Sequence, residues 1–463
     1  MRALTLIYGM VAGCAPASET DLSAAFEAAG LTVQTGLTTD FHIEDCERLE
    51  RCFGNNASAP YLLLNLPGHP DDPGLLPPNT IGQIPRVPDD LRSQYYLDES
   101  EAIAIVGQTP PAARYFGFTP YLFSRVDDNG ARVSVFASLT DSLNPVTIQA
   151  GDSGPFDSPL AIVYASDADT MAAAVDALRS QGYTDDNINQ VALPREGMAH
   201  GFDEASSDTF LMMGRIALIE DAQAASDYFD TLPLSVFRLT PAQTGSALDV
   251  PPRTPRGDGA TEEHLQDGLD ALGDAITTQA AASGTVTAIS IASSALVAAI
   301  IDPAACIENV TECKGDNTDT TYAAGPLNVI QADGTNTLAP DEHFIVYGVN
   351  HAAAGKATYA NFSVYTQQQR VGVAAVDSDE MPGSADAYIP DHPDRDRYFA
   401  YEVRRDCTDR PHCLTLDTAF PGAALDESVF FIFRAYMNPG HSVSPDHDEI
   451  LTEQVVRVSP KTR

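Results

Sequence analysis

Four polar side chains in the C-terminal part of the chain are the strongest candidates for chemistry: Asp316, Asp319, His351 and Lys356. Carboxylates, an imidazole and an amine held close together could supply an acid, a base and electrostatic stabilisation of a developing charge. Such a group suits hydrolysis or elimination on a small extracellular molecule. We therefore predict a catalytic cluster at these positions, provided that the fold brings them together.

These positions stand out because the chain repeats itself. The stretch CFGNNASAPY (residues 52–61) matches CKGDNTDTTY (residues 313–322). A further cysteine, Cys46 or Cys306, lies shortly before each stretch. An offset set by two strand-end glycines, Gly107 and Gly348, extends the comparison downstream. The four polar residues then have uncharged counterparts in the first copy: Asn55 for Asp316, Ser58 for Asp319, Pro110 for His351 and Tyr115 for Lys356. Polarity kept by one copy alone indicates a site.

A structural role would explain the same residues without any activity. Asp319 could cap its own turn, and His351 could be hydrogen-bonded within its loop. Lys356 would then be a solvated surface charge. The sequence leaves both interpretations open.

A second kind of site is suggested by aromatic and amide side chains near the repeated stretches. Ligand pockets are commonly lined by aromatic groups with a few polar ones. We predict that the following residues line a pocket or groove for a small molecule or a polymer: Tyr115, Phe118, Asn317, Tyr322 and Tyr359.

Motifs for other chemistries are incomplete. Gly151–Pro155 reads GDSGP and is similar to the nucleophile segment of chymotrypsin-like proteases, but neither upstream histidine lies in the expected context. A turn explains this stretch better. The acidic residues Asp377, Asp379 and Glu380 are a possible calcium site, because calcium prefers carboxylate oxygens. No other metal or cofactor is expected.

The elements that must position these residues are mainly β-strands. Each copy contains a strand ending in glycine, an aromatic-rich alternating strand, and a Val/Ala strand ending in Asp-Ser. Such patterns are typical of half-buried antiparallel strands. We predict two related β-sandwich or jelly-roll modules, residues 41–155 and residues 304–463.

The segment between the copies has a different pattern. Residues 156–242 contain two successive strand–helix–strand units, which favour a ferredoxin-like α/β layer inserted between the modules. Residues 243–303 combine a Pro-rich link with a helical segment.

The stretch NTDTTY, Asn317–Tyr322, resembles the Asn-x-Asp-Thr-x-Tyr signature of a secreted bacterial β-sandwich family of unknown function. The resemblance covers the second copy and fragments of the first. It implies an exported β-sandwich and no particular activity.

The N-terminus predicts export and a lipid anchor. Residues 1–13 resemble a lipoprotein signal peptide, because Val11-Ala12-Gly13-Cys14 matches the lipobox whose cysteine is lipidated. Residues 14–40 would then be a tether and lead-in. The alternative is a buried first strand with an incidental cysteine.

The other six cysteines form three close pairs in the sequence. Close pairs without a CxxC motif favour disulfides over metal binding, and disulfides favour an oxidising compartment. We predict three local bridges: Cys46–Cys52, Cys306–Cys313 and Cys407–Cys413.

The charge balance bears on partners. The chain has 65 acidic and 26 basic residues, for a formal net charge of -39, and such a surface repels nucleic acids. We predict an outer-membrane-anchored lipoprotein, in the periplasm or at the cell surface, that binds a small molecule or polymer. The alternative is an extracytoplasmic hydrolase or lyase that uses the polar cluster.

Overall fold

The computed structural model of the chain describes residues 18–48, 52, 56–72, 74–77, 86–300, 302–326 and 336–461. The predicted signal peptide and Cys14 lie outside these residues. The N-terminal half contains α1 (Glu19–Ala28), β1 (Leu31–Thr35), β2 (Leu37–Phe41), β3 (Tyr61–Pro67), β4 (Leu91–Arg92), β5 (Ala102–Gln108), β6 (Ala113–Val126), β7 (Arg132–Ser138), β8 (Pro159–Ala165), α2 (Ala168–Ser180), β9 (Ile188–Ala192), β10 (Thr209–Ile219), α3 (Ala222–Thr231) and β11 (Leu234–Pro241).

The C-terminal half contains α4 (Gln266–Ser283), β12 (Gly284–Ile289), α5 (Ser294–Ile300), α6 (Pro303–Asn309), β13 (Thr320–Gly325), β14 (His343–Val349), β15 (Tyr359–Thr366), β16 (Gly372–Asp377), β17 (Tyr398–Arg404), β18 (Cys413–Thr415), β19 (Val429–Tyr436) and β20 (Gln454–Pro460).

Local sequence explains where these elements begin and how they are buried. Helix α2 begins after Asp167, whose carboxylate accepts the backbone N–H groups of Asp169 and Thr170. This cap satisfies donors that the first helical turn leaves open. Strand β5 reads AIAIVGQ and is apolar over most of its length, because it is a central strand covered on both faces.

The first module (residues 18–248) is a sandwich of two sheets. Its outer sheet has the order β1-β11-β5-β8-β9, and its inner sheet has the order β2-β3-β10-β6-β7, with β4 paired to β3. Leu62 and Leu64 pack between the sheets. Helices α1 and α2 cover the outer sheet, where Phe26 and Leu178 join one apolar cluster.

The second module (residues 263–461) repeats this topology. Its outer sheet has the order β12-β20-β14-β17-β18, and its inner sheet has the order β13-β19-β15-β16. Each pairing keeps its direction, including one parallel pair in each outer sheet, β8 with β9 and β17 with β18. Strand β2 has no counterpart among the described strands of the second module. The mainly β fold with two related sandwiches is therefore confirmed.

The segment predicted as a ferredoxin-like insertion, residues 156–242, completes the first sandwich instead. Strands β8, β9 and β11 join the outer sheet, and β10 joins the inner sheet. The pattern of β8, α2 and β9 does correspond to a parallel βαβ unit. Strand β10, however, is 11 residues long and pairs with β3 and β6, so no separate layer forms.

The module boundaries differ from the predicted ones for the same reason. Elements α1, β1 and most of β2 fall in the predicted tether, yet they belong to the first module. Likewise α4 and β12 fall in the predicted helical segment, yet they belong to the second module. The two modules are joined by residues 249–262, which we call the link.

Disulfides join the three predicted cysteine pairs. The first two bridges precede β3 and β13, and each packs on the opposite module. The Cys52 N–H donates to the carbonyl of Gln369, and the Cys313 N–H donates to the carbonyl of Val135. Because disulfides persist in oxidising compartments, the bridges indicate an extracytoplasmic environment.

Candidate functional site

Each inner sheet has one face turned away from the core of its own sandwich. The two modules pack against each other through these faces. Tyr115 on β6 and Tyr359 on β15 lie at equivalent positions in the two sheets. Both rings pack against Tyr436, with ring centroids 4.6 Å and 5.1 Å away. All three side chains are buried. We call this buried contact the intermodule layer. The loop that holds Asp316 and Asp319 lies in it.

Asp319 is at the centre of a hydrogen-bond network in this layer. The Tyr115 hydroxyl donates to its carboxylate at 3.0 Å, and the Asn317 amide donates to the Tyr115 oxygen at 3.0 Å. Burial raises the pKa of Asp319 to about 7, although hydrogen bonds from Asn144 and Tyr115 and the charge of Arg256 oppose the shift. A carboxyl with this pKa exchanges a proton near neutral pH, which is the property of a general acid or base.

Tyr359 makes similar contacts, but its aspartate belongs to its own module. Its hydroxyl donates to Asp377 at 2.7 Å, and the Asn361 amide donates to the Tyr359 oxygen at 2.9 Å. Burial raises the pKa of Asp377 to about 6, and the neighbouring charges of Glu380 and Asp379 act in the same direction. In both pairs a buried tyrosine hydroxyl donates to a carboxylate whose pKa is raised by burial.

Asp316 joins the two modules directly. Its carboxylate accepts the backbone N–H of Ser138 at 2.8 Å and the Ser138 hydroxyl at 2.5 Å. Burial raises its pKa, against the hydrogen bonds from Ser138 and the charge of Arg253.

The link covers this region with two arginines. Arg253 donates to the hydroxyl and carbonyl of Ser138. Arg256 donates to the carbonyl oxygens of Asn317, Thr318 and Thr320. The acidic loop is therefore held under a segment that carries compensating positive charge.

His351 lies in a different set of contacts. Its ring nitrogens face Glu262 at 2.8 Å and Glu453 at 3.0 Å, and all three side chains are buried. Burial alone would lower the pKa of the imidazole, but the two carboxylates outweigh it and raise the pKa to about 10. The ring is thus held as a cation between two anions, which leaves it unsuited to act as a base near neutral pH.

Lys356 is engaged in a third set. Its ammonium donates to Asp258 at 2.7 Å, to Glu449 at 2.9 Å and to the carbonyl of Ala260 at 2.7 Å. Burial lowers its pKa, but the hydrogen bonds to Asp258 and Glu449 outweigh this and raise it. Lys356 is buried, so it is not the solvated charge of the alternative interpretation.

The four predicted catalytic residues therefore do not form one cluster. Among the described residues, no hydrogen bond or ion pair joins the Asp316 and Asp319 carboxylates to His351 or Lys356. One step of the sequence comparison also needs correction. Gly117 lies opposite Arg215 and Asn361 lies opposite Arg434, so the counterpart of Tyr115 is Tyr359 and not Lys356. The loop that holds Lys356 is longer in the second copy, which breaks the constant offset.

The predicted ligand-binding residues do not line an open groove. Tyr115, Tyr359 and Asn317 are buried in the intermodule layer, and Phe118 packs inside the first sandwich. Tyr322 is half-buried and lies beneath the guanidinium of Arg434, 5.8 Å from its ring centroid. The correction follows from the stacking of the modules, because the faces that carry these residues are covered by each other.

The repeat contains buried arginines that the sequence comparison missed. Arg215 lies over the rings of Tyr61 and Tyr121, at 5.6 Å and 5.4 Å from their centroids. Arg434 lies over Tyr322 and Tyr365 in the same way, at 5.8 Å and 5.6 Å. A lone arginine within an apolar strand, MMGRIA in β10 and FIFRAY in β19, was the available signal.

A second repeated arginine network lies in the outer sheets. Arg238 binds Glu101 in the first module, and Thr240 donates to the same carboxylate. In the second module, Arg457 binds Glu342 and Ser459 donates to it. The matching endings FRLTP and VRVSP of β11 and β20 were the signal in the sequence.

The described part of the chain contains no group of three or more His, Cys, Asp or Glu side chains that could hold a metal ion. The predicted calcium ligands illustrate why. Asp377 is occupied by Tyr359, Asp379 pairs with Arg114, and Glu380 accepts the backbone N–H of Asp377. Within the same residues, no helix combines the length and the apolar character that crossing a bilayer requires.

The surface of the molecule is predominantly acidic. Arg215, Arg238, Arg434 and Lys356 are buried. Exposed basic residues in the described ranges include Arg86, Arg114, Arg179, Lys314, Arg410 and Lys461, and the side chains of Arg395 and Arg397 are also partly exposed. Carboxylates are exposed on the surface of every long helix, for example on α1, α2, α3 and α4. The molecule therefore presents an acidic exterior, and its interior contains both cations and carboxylates, for example Glu101 and Asp319.

Comparison with known proteins gives little guidance. No protein-family model matches the chain, and no curated protein matches it. An uncharacterised protein from Burkholderia cenocepacia is similar in structure, with 12% identity, a TM-score of 0.39, and coverage of 96% of this chain and 91% of that chain. The VPA0106 protein from Vibrio parahaemolyticus is similar with 11% identity and a TM-score of 0.37. The match covers 79% of this chain and 88% of that chain. At these TM-scores we derive neither fold nor function from the likeness.

Proposed function

We propose that the protein is an exported lipoprotein, anchored to the outer membrane through Cys14, that acts by binding a ligand rather than by catalysis. The three disulfides agree with export, and the lipobox supports the anchor. The sandwich modules would then face the periplasm or the exterior of the cell.

The acidic surface carries the binding proposal. The chain has 65 acidic and 26 basic residues, and carboxylates are exposed along its helices, so the surface attracts cations and repels anions. We propose that the ligand is a cationic small molecule or polymer. The buried tyrosines of the intermodule layer then serve to join the modules and not to bind the ligand.

A titration with poly-L-lysine tests this proposal, with poly-L-glutamate as the control polymer. We expect heat of binding and a raised melting temperature with the cationic polymer alone, both weakening as salt rises from 50 to 500 mM. Equal binding of both polymers, or binding of neither, would contradict a cationic ligand.

Metabolic labelling with a palmitate analogue tests the anchor. We expect the label to be lost in the Cys14→Ser variant and retained in a Cys407→Ser/Cys413→Ser variant, which removes cysteines elsewhere in the chain. Unlabelled parent protein in the membrane-free fraction would contradict the anchor.

One observation favours the alternative, an extracytoplasmic hydrolase or lyase. The pKa of Asp319 near 7 suits proton transfer at neutral pH, and the carboxyl lies beneath the link. Turnover of any extracellular metabolite that is lost in Asp319→Asn and kept in Asp377→Asn would establish this alternative. Turnover that Asp319→Asn retains would contradict this alternative.

A further inference from the structure

One part of the surface differs from the acidic exterior. From Ala275 to Ile301 the chain contains no Asp, Glu, Lys or Arg, whereas 20% of all its residues are charged. The stretch forms the last turns of α4, strand β12 and helix α5. We call its exposed part the uncharged edge.

The uncharged edge is exposed to solvent. Thr285, Thr287 and Ala288 of β12 are exposed, and so is Leu296 of α5, with 51% of its surface accessible. Strand β12 is the first strand of its sheet and pairs with β20 alone among the described strands. Its other side therefore offers backbone groups for pairing.

Edge strands normally carry features that prevent pairing with another chain. Lysine, proline, inward charges and bulges are the usual ones. The sequence of β12, GTVTAI, has none of them, and its Thr, Val and Ile residues favour extended structure. Lys461 donates to the carbonyl of Ala282, beside the strand.

The other outer-sheet edges are flanked by charge. Strand β1, the counterpart of β12, follows helix α1, which carries Glu19, Asp21 and Glu27. Strand β9 follows Asp185 and Asp186, and the loop before β18 contains Asp406 and Asp409. The inner-sheet edge β7 lies beside the Cys306–Cys313 loop of the opposite module, and Gln369, just before the edge strand β16, is hydrogen-bonded to Cys52. The uncharged edge differs in that the nearest preceding charge in the chain is Asp274, ten residues before β12, whereas Glu27 lies four residues before β1.

The charge of the molecule identifies the occupant. A cationic ligand would bind the acidic surface elsewhere, so an uncharged patch matters for a partner that is itself acidic. A second copy of this chain is such a partner, since two copies with a net charge of -39 repel each other wherever their carboxylates meet. An edge strand can also pair antiparallel with its own copy, which gives a closed two-fold interface.

We propose that the protein forms a homodimer by antiparallel pairing of β12 with β12 of a second copy. The two outer sheets of the second modules join into one continuous sheet, and the charge-free ends of the α4 helices lie beside the new strand pair. Raising the ionic strength strengthens the dimer, because salt screens the repulsion between the remaining surfaces.

Sedimentation velocity on the full chain with Cys14→Ser tests the proposal over a concentration series. We expect a reversible shift from the 49.3 kDa monomer to twice that mass, favoured by higher salt. Thr285→Asp/Ala288→Asp places charge on the edge and should weaken association at least about tenfold. Residues Thr32 and Thr35 occupy the same register positions on β1, so Thr32→Asp/Thr35→Asp is a control with equal net charge.

A charge-reversal variant separates a lost interface from a lost fold. Thr285→Lys/Ala288→Lys mixed with the aspartate variant should restore a dimer that neither variant forms as well alone. A monomer at every concentration and salt, or equal weakening by the β1 control, would overturn the proposal. So would a dimer that the β12 substitutions leave unchanged.

Discussion

The first and second modules use one topology with different amounts of polar and covalent support. In the first, helix α2 connects the parallel pair β8 and β9. In the second, the equivalent connection between β17 and β18 contains the Cys407–Cys413 disulfide and no helix. A disulfide limits the freedom of the unfolded chain, whereas a helix adds buried apolar surface. The comparison teaches that the sheet order is the shared requirement and the connection is not.

The polar centres differ in the same manner. The tyrosine of each module pairs with an aspartate of the second module in the intermodule layer, and the ionic contacts of His351 and Lys356 also belong to the second module. These contacts tie that module to the link, through Glu262 and Asp258. The sequence predicts catalysis at these residues because they are unique to one copy, whereas in the structure they hold the link against the second module.

The repeated Arg–Glu network should give the largest difference between the modules. Arg238 and Glu101 are 1% and 0% exposed, whereas Arg457 and Glu342 are 19% and 12% exposed. Glu101→Gln should lower the free energy of unfolding by about 3–5 kcal/mol, because it leaves a buried guanidinium unpaired. Glu342→Gln should cost only about 1–2 kcal/mol. Urea unfolding followed by circular dichroism measures both, and equal losses would contradict the difference in burial.

The disulfides allow a second comparison at nearly equal loop length. Cys306–Cys313 and Cys407–Cys413 span 7 and 6 residues, so each should contribute about 2 kcal/mol through the unfolded chain. The Cys306–Cys313 bridge is also buried in the apolar cluster of the opposite module. We expect the Cys306→Ser/Cys313→Ser variant to lose more stability in calorimetry than Cys407→Ser/Cys413→Ser. A larger loss at the latter site would contradict intermodule docking by the cysteine loop.

The two Tyr–Asp pairs should make different contributions to the pH dependence of stability. The pKa of Asp319 is about 7 in the fold and near 4 when unfolded, so its stabilising contribution is complete below pH 4 and is lost as pH rises through 7. The slope is at most about 1.4 kcal/mol per pH unit. Asp319→Asn should remove this slope. Asp377→Asn should remove one that ends near pH 6.

Measurement of unfolding free energy at pH steps from 4 to 8 tests both variants against the parent protein. The groups around Asp319 are Tyr115, Asn317, Asn144, Arg256 and Arg215. None of them gains or loses a proton between pH 4 and 8. An unchanged pH profile in Asp319→Asn would mean that this carboxyl is not protonated in the fold.

A surface contact between the modules should have the smallest effect. Arg114 of the first module pairs with Asp379 of the second at 3.1 Å, with 47% and 53% of the side chains exposed. Exposed pairs of this kind contribute about 0–1 kcal/mol. Arg114→Ala should therefore shift the thermal midpoint by a small amount that vanishes in high salt, in contrast to the buried layer.

Much of the fold followed from local pattern. The cysteine spacing predicted the three bridges, and the repeat of Cys, Gly, Asn and Tyr predicted two related sandwiches. The βαβ pattern at β8, α2 and β9 was found as well. What failed was the assignment of those strands to a separate layer, because pairing across the sandwich depends on contacts between residues far apart in sequence. Strand β10, for example, pairs with β3 about 150 positions earlier.

The candidate site divides along the same line. The sequence alone predicts export, and it gives the net charge and the positions that are polar in one copy only. Tertiary structure decided which partner each polar group has: Asp319 meets Tyr115 of the other module, and His351 meets Glu262 of the link. The physical reason is that a strand pattern specifies which face is buried, whereas the surface that covers that face is chosen by the packing of whole sheets.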